Sequence, residues 1–339
     1  EEVRHAEPGE FTRRAFLNGK VDLLKAEALA DLVTAETEAQ RRFALSNSDR
    51  QSALYAEWRK RLIFARAMIE AEMDFADESD VPGAIGSTVW KDVERMCREI
   101  ADHMEGYRKA EIIRDGYDVV IIGAPNAGKS SLLNALARRD AAIVTDEPGT
   151  TRDLVEVTLD LNGIKVRLTD TAGIREAAGR VEQIGIDRAR ERARQADLIL
   201  HLVDLNDPDS IAGLETRAGR LEIGTKADLA GPGNHSGPYD HLISTATGSG
   251  LNGLLEDLGR HAEAAAGETG DILPSRQRHI ELLGRTTDFM QAALAAPEEM
   301  TEVRAEYLRL AADQLGRISG AIDTEDLLDV IFSQFCIGK

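Results

Sequence analysis

The hydrophobic rhythm of the chain changes twice. Over residues 21–45, "VDLLKAEALADLVTAETEAQRRFAL", Leu24, Ala28 and Leu32 recur at helical spacing with Leu29 and Val33 beside them. This predicts one amphipathic helix, with Asp22 placed to cap its start. Residues 50–77 and 88–110 repeat the helical pattern, separated by the breakers of "ADESDVPGAIGS". From about residue 117 the pattern shortens. "YDVVII" reads as a buried strand, followed by a glycine-rich loop and a helix from Ser130. "LVEVTLDL" and "IKVRLTD" alternate around "NG", which predicts a hairpin. Next come a helix near 181–195, the apolar strand "DLILHLVD", a helix near 209–219, the strands "RLEIG" and "HLIS", and a helix near 251–265. Strands alternating with helices predict a mostly parallel sheet, with the hairpin adding one antiparallel edge.

After "ETGDILPS" the helical pattern returns over 274–296, 300–319 and 323–333. Helical segments therefore flank the α/β unit on both sides. The leading helices alone would make a thin core. The expected fold is thus an α/β domain over 116–270 inserted into a helical bundle built from 21–115 and 271–339. Three independent units in a row is the alternative.

Composition adds limits. The chain has 339 residues, 42% apolar but only 4% aromatic, which suits aliphatic α/β layers and helices. Cys97 and Cys336 are its two cysteines and lie far apart, so no disulfide framework is expected and a reducing, cytoplasmic compartment fits. The start, "EEVRHAEPGE", carries no signal-peptide hydrophobic run, and no apolar run is long enough to span a bilayer. No initiating Met is present, so the chain reads as a piece of a longer protein. The net charge of −19 argues against a strongly basic RNA-binding surface; any RNA would need a local patch or a partner.

"GAPNAGKS", residues 123–130, matches G-x-x-x-x-G-K-S/T, between a predicted strand and a predicted helix. Its glycines let backbone N–H groups close on a phosphate chain, Lys129 reaches the terminal phosphates and the Ser130 hydroxyl suits Mg²⁺. "DTAG", residues 170–173, ends the second hairpin strand; there Asp170 reaches Mg²⁺ through water and Gly173 offers an N–H to a γ-phosphate. "TKAD", residues 225–228, closes the strand "RLEIG", where Asp228 accepts from guanine's ring N–H and amino group together, which points to GTP. Thr225 stands where Asn is usual, a departure expected to weaken the loop that holds the base. "STA", Ser244 to Ala246, falls where a second guanine-contacting loop is expected.

Hydrolysis is less legible. The position after "DTAG" that often holds a water-orienting Gln is Ile174. Arg152 and Arg175 are available as arginine fingers, though nothing singles them out. Glu182 reads equally as a catalytic acid or as a partner of a helix dipole. Asn126 reads as a turn residue or as a ligand for a cation. Cys336, alone near the end in "FSQFCIGK", reads as structural or incidental.

Taken together, "EPGEFTRRAFLNGKVDLLKAEALADL", "GAPNAGKSSLLNAL", "AAIVTDEPGTTRD", "DTAGIREA", "VEQIGI" and the closing "FCIGK" resemble the MnmE (TrmE) tRNA-modification GTPases across essentially the whole chain. The resemblance implies that residues 1–20 are the remnant of an N-terminal domain that dimerises and binds a 5-formyltetrahydrofolate-type folate. It implies a GTP hydrolase activated by K⁺ and by G-domain dimerisation in place of an arginine finger. With a flavin-dependent partner of the MnmG type, such enzymes install a carboxymethylaminomethyl-type group at C5 of the wobble uridine of certain tRNAs.

Carried onto matching positions, the nucleotide would be held by Asn126, Ala127, Gly128, Lys129, Ser130 and Ser131. The segment Thr145, Asp146, Glu147, Pro148, Gly149, Thr150 and Thr151 would follow, then Asp170, Thr171, Ala172 and Gly173. The base would meet Thr225, Lys226, Ala227 and Asp228, with Ser244, Thr245 and Ala246. Asn126, Thr145, Glu147 and Thr150 would ligate K⁺; Ser130 and Thr151 would ligate Mg²⁺. Glu182 matches the acid that positions the attacking water, Lys20 and Lys339 match folate-contacting positions, and Cys336 matches a cysteine required for modification. The competing readings are a ribosome-assembly-type regulatory GTPase, against which the helical flanks and "FCIGK" speak, and a nucleotide-binding scaffold without turnover, motivated by Ile174 and Thr225.

Overall fold

The structure, a computed structural model, describes residues 4–74, 84–143, 156–170, 195–207, 219–231, 237–267 and 270–321. The chain divides into two compact units. One comprises residues 1–35, 40–114 and 268–339, the other residues 36–39 and 115–267.

The helical unit contains α1 (Glu10–Leu17), α2 (Leu23–Thr34), most of α3 (Glu38–Asp74), α4 (Ala84–Glu105), α5 (Tyr107–Asp115, of which Asp115 belongs to the other unit), α8 (Gln277–Ala295) and α9 (Thr301–Ser319). Among the described residues its core joins the two flanks in one cluster. Leu24, Tyr55, Trp58, Leu62, Ile69, Val93, Met96 and Ile100 from the leading flank pack with Leu283, Met290, Leu308, Leu315 and Ile318 from the trailing flank. Neither flank could bury these side chains alone, so an α/β domain inserted into one all-α bundle is the architecture.

Two helix boundaries differ from the sequence expectation. Residues 21–45 form not one helix but the end-capped α2 and the start of α3. Asp22 does cap α2, its Oδ1 accepting from the Lys25 N–H at 2.8 Å. The helix stops at Ala35, whose ψ of 123° is extended. Just beyond it, Glu36 pairs with Lys165, and the Ala39 N–H, an orphan donor of the first turn of α3, is satisfied by the Gly163 carbonyl at 3.1 Å. Conversely, α3 runs without interruption through residues 46–49, which the sequence expectation left between two helices. Asn47 is 4% and Gln51 1% exposed. Asn47 exchanges hydrogen bonds with the backbone of Leu273, at 2.8 and 3.0 Å, and Gln51 donates to the same carbonyl at 2.5 Å. These polar side chains face inward to pair the returning chain, which no periodicity could reveal.

In the helical unit, burial pushes the Glu27 carboxyl up, but His279 and Arg278 outweigh it and hold it below the usual carboxylate range. Arg278 donates to both of its oxygens, at 2.6 and 2.9 Å, and to the Ile318 carbonyl at 3.0 Å. Fully buried His279 is pushed down by that burial, with Glu27 opposing the shift, and its Nε2 lies 3.1 Å from the Glu27 carboxylate. This network ties α2 to α8 and α9.

The α/β unit is a six-stranded sheet: β1 (Tyr117–Gly123), β2 (Glu156–Leu161), β3 (Ile164–Asp170), β4 (Leu198–Asp204), β5 (Gly219–Thr225) and β6 (His241–Leu242), with α6 (Lys129–Ala137) and α7 (Leu251–Ala266). The spatial order is β2-β3-β1-β4-β5-β6. Only β2 runs antiparallel, paired with β3. Asn162 and Gly163 turn the hairpin at φ 57° and 86°, the left-handed pair that a tight two-residue turn demands. β4 is buried at all but its last residue, as a central parallel strand should be. The chain reverses its winding at β1, so the crevice outside the carboxyl ends of the strands lies there. The helices expected near 181–195, 209–219 and 323–333 and the breaker loop 75–83 lie outside the described residues. Among the described residues no helix is long and apolar enough to cross a membrane.

Candidate nucleotide-binding site

Every described segment that the sequence singled out for nucleotide chemistry sits at a carboxyl end of the sheet. "GAPNAGKS" leaves β1, Asp170 closes β3, "TKAD" leaves β5 and "STA" follows β6. The strand registers bring these ends level: Ile121 lies opposite Asp170, Gly123 opposite Leu202, and Asp204 opposite Thr225.

Gly123 is required by close approach. A Cβ there would meet the Leu202 carbonyl oxygen at 2.6 Å and the Ala127 Cβ at 3.2 Å. The loop then turns through Asn126, at φ 66°, and Gly128 into α6, whose N-terminus no side chain caps. The helix end is thus laid out for an anion. Lys129 is 7% exposed, and its ammonium donates to the carbonyls of Gly123 and Ala124 at 3.0 and 2.9 Å, within the loop. Asn126, Ser130 and Ser131 are exposed, and Ala127 is buried.

The Ser130 hydroxyl donates to Asp170 Oδ2 at 3.0 Å, and Asp170 is 1% exposed. A hydroxyl and a buried carboxylate side by side at the mouth of a phosphate loop are hard oxygen donors. They fit Mg²⁺, which takes few protein ligands and keeps several waters. Among the described residues no group of three or more His, Cys, Asp or Glu is placed to hold a metal.

On the base side, the loop after β5 is held from three directions. Thr225, 3% exposed, donates its hydroxyl toward the Ala127 carbonyl at 2.8 Å and the Val203 carbonyl at 3.2 Å. Lys226 adopts a left-handed φ of 57°, a conformation costing about 1 to 3 kcal/mol when the surroundings must hold it. Its ammonium pairs with Asp204 at 2.5 Å. The Ala227 N–H donates to the Ile243 carbonyl at 3.1 Å, joining this loop to the one that carries Ser244. Ser244, 1% exposed, accepts from the Thr247 N–H at 3.2 Å and shapes that turn. Asp228 is exposed, and Ala246 is exposed beside half-buried Thr245.

Sequence reasoning passed over Asp204. Burial pushes its carboxyl up, but the Lys226 ammonium and the Asn206 N–H, at 3.0 Å, outweigh this and hold it below the usual range. The signal was available: an Asp ending a buried strand of mostly aliphatic residues, opposite Thr225. Thr145, Asp146, Glu147, Pro148, Gly149, Thr150, Thr151, Thr171, Ala172, Gly173, Glu182, Cys336 and Lys339 lie outside the described residues. Lys20 is exposed just after α1, in the helical unit.

The family model "MnmE helical domain" matches residues 23–336. The "tRNA modification GTPase MnmE" of Mesorhizobium japonicum is 64% identical over 99% of this chain and 77% of its own length. That of Chelativorans sp. is 59% identical over 99% and 76%, and that of Brucella ovis 56% over 99% and 76%. Among solved structures, the G domain of the T. maritima FeoB iron transporter covers 43% of this chain and 99% of its own at 26% identity, with a TM-score of 0.33. That score carries no argument. The family rests instead on the sequence matches, which extend through both the helical and the α/β units: the chain belongs to the MnmE family.

Proposed function

We propose that this protein is a GTP hydrolase of tRNA modification. With a flavin-dependent partner of the MnmG type, it works on C5 of the wobble uridine of certain tRNAs, in the cytoplasm and as a homodimer. The single observation that carries the GTPase reading is the convergence of the phosphate loop, Asp170 and the Thr225–Asp228 loop at the carboxyl ends of adjacent strands. The tRNA reading is supported by relatives named for that activity over nearly the full chain.

In this reading the N-terminal amides of α6 and Lys129 bind the phosphates. Asp228 accepts the two guanine donors, and the Ser244–Ala246 turn lies against the base. Ser130 and Thr151 would hold Mg²⁺, with Asp170 beside Ser130. Asn126, Thr145, Glu147 and Thr150 would hold K⁺. Such cations would supply positive charge against the charge developing on the phosphates, the work an arginine finger does elsewhere. Glu182 positions the attacking water, since Ile174 has no polar atom with which to do so. Lys20 and Lys339 contact a 5-formyltetrahydrofolate-type folate, and Cys336 serves the modification itself. The left-handed φ of Asn126 supports a turn role for its backbone. The residue is exposed at the loop, where its carboxamide oxygen could meet a cation.

The test is GTP hydrolysis in KCl against NaCl at matched ionic strength, using the full-length protein. Stimulation by K⁺, and its loss in Asn126→Ala with nucleotide still bound, is the expected result. An arginine finger contributes about 10³ to 10⁵ in rate, so a cation in its place should have an effect visible without refined kinetics. Equal rates in both salts would remove the cation from the mechanism. Unchanged wobble uridine in the tRNA of cells lacking the protein would remove the tRNA role.

A further inference from the structure

We propose that the α/β unit carries a second small-molecule site, a polar cavity on the sheet face opposite α6, and that its ligand is a free α-amino acid. Neither the site nor its ligand depends on the guanine-nucleotide reading.

The strand registers place the cavity. On β2, Val157, Leu159 and Leu161 are buried and alternate with Glu156, Thr158 and Asp160, so the two sets point to opposite faces. The helices α6 and α7 lie on the apolar side. Ser130 of α6 reaches Asp170, which β3 presents on that side, and a Cβ on Gly259 of α7 would sit 3.7 Å from the Leu161 Cβ. The other face carries two cross-strand rows. Glu156 lies opposite Thr169, which lies opposite Val120; one row on, Arg167 lies opposite Asp118. Together with Gln195, just before β4, these residues line a cavity of about 220 Å³.

Its size and charges select the ligand. At roughly 30 Å³ per water the cavity holds about seven waters, and it is smaller than the ~300 to 1,000 Å³ of a drug-sized pocket. It suits a small metabolite. Arg167 spends Nε and Nη2 on the two oxygens of Asp118, at 2.8 Å each. That fork fixes the plane of the guanidinium, whose Nη1 carries two further N–H donors. Glu156 is exposed and brings a carboxylate that only accepts. It stands diagonally across the β2–β3 ladder from Arg167, about 7 Å away at Cβ, with Thr169 in the same row as Glu156. A ligand that answers both charges carries a cation and an anion close together. In an α-amino acid the ammonium and the carboxylate sit on one carbon, and a charge-assisted hydrogen bond of about 2.7 to 2.9 Å at each end spans the rest. The ammonium meets Glu156, and the carboxylate meets Arg167 Nη1 and the Thr169 hydroxyl. A plain amine leaves Arg167 unanswered and a plain carboxylate is repelled by Glu156, so the pair of charges discriminates by mismatch as well as by fit.

The test titrates the full chain with L-glutamine by isothermal calorimetry, with and without Mg²⁺ and GDP. Saturable binding of equal affinity in both conditions is expected, because the cavity lies on the sheet face opposite α6. Glu156→Gln should weaken it by about tenfold to a hundredfold, the loss of one charge-assisted bond, and leave GDP binding unchanged. Thr169→Val should weaken it by roughly three- to tenfold. Capping the ligand tests the same contacts without touching the fold: N-acetyl-L-glutamine and L-glutamine methyl ester should each lose at least about tenfold. If Glu156→Gln does not fold, the capped ligands decide. No saturable binding below about 10 mM would overturn the site. Displacement by GDP would overturn its location. Affinity unchanged by Glu156→Gln, or by either cap, would overturn the amino-acid assignment.

Discussion

Glu27→Ala should destabilise the helical unit. Glu27 is 6% exposed, and both its oxygens are occupied by Arg278, itself fastened to the end of α9 through the Ile318 carbonyl. Removing one partner of a buried ion pair strands the other, and such losses are about 3 to 5 kcal/mol. The Arg278 Nη1 is already buried without a partner among the described residues, so nothing stands ready to take up the freed guanidinium. His279 would lose its acceptor as well. The assay follows from the sequence: Trp58 and Trp90 are the protein's two tryptophans and both belong to the helical unit, so their fluorescence in urea reports that unit alone. With a urea slope of about 2 kcal/mol/M, the midpoint should fall by about 1.5 to 2.5 M. Glu27→Gln keeps an acceptor without the charge and should lose less, about 1 to 3 kcal/mol. The double variant Glu27→Leu, Arg278→Met should recover most of the loss, because an apolar pair of similar volume removes the stranded charge. A loss below about 1 kcal/mol in Glu27→Ala, or a double variant whose loss is the sum of the two singles, would refute the account of the network as a buried, mutually dependent pair.

Two further outcomes follow from the same reasoning. Asp228→Asn should weaken GTP and GDP binding and favour xanthine nucleotides, since the amide presents a donor to guanine's own donors; competition binding that shows unchanged GTP affinity would deny Asp228 its role. His103, bonded to the Tyr55 hydroxyl at 2.9 Å, is pushed down to about 4 by burial and by nearby His279, from an ordinary value of 6.5. The unfolded chain therefore takes up its proton first. Stability of the helical unit is fully present above about pH 6.5 and is lost as pH falls toward 4, by up to about 3 kcal/mol, and His103→Gln should flatten that slope in urea titrations read by tryptophan.

The sequence by itself determined where the nucleotide-type motifs lie. "GAPNAGKS", "DTAG" and "TKAD" are short motifs whose residues act through local backbone shape, so spacing alone is enough to mark them as candidates. It also determined the alternation of strands and helices and the "NG" turn, because periodicity and left-handed φ are local properties. The inserted arrangement was legible by inference: three leading helices could not close a core, and Leu24, Met96 and Leu315 do pack together.

Tertiary structure decided what depends on partners distant in sequence. Asn47, between two expected helices, and Gln51, inside the second, are buried partners of the Leu273 backbone, 226 and 222 residues away. Ala35 ends a helix that the pattern would have continued, just before a segment that pairs with the β2–β3 hairpin. Asp204 and Thr225 gained their roles only when parallel pairing set β4 beside β5 and carried both strand ends to the phosphate loop. A buried polar group is read from its partner, and the partner is chosen by the fold. Hydrophobic spacing is read from the chain itself, which is why the one was visible in the sequence and the other was not.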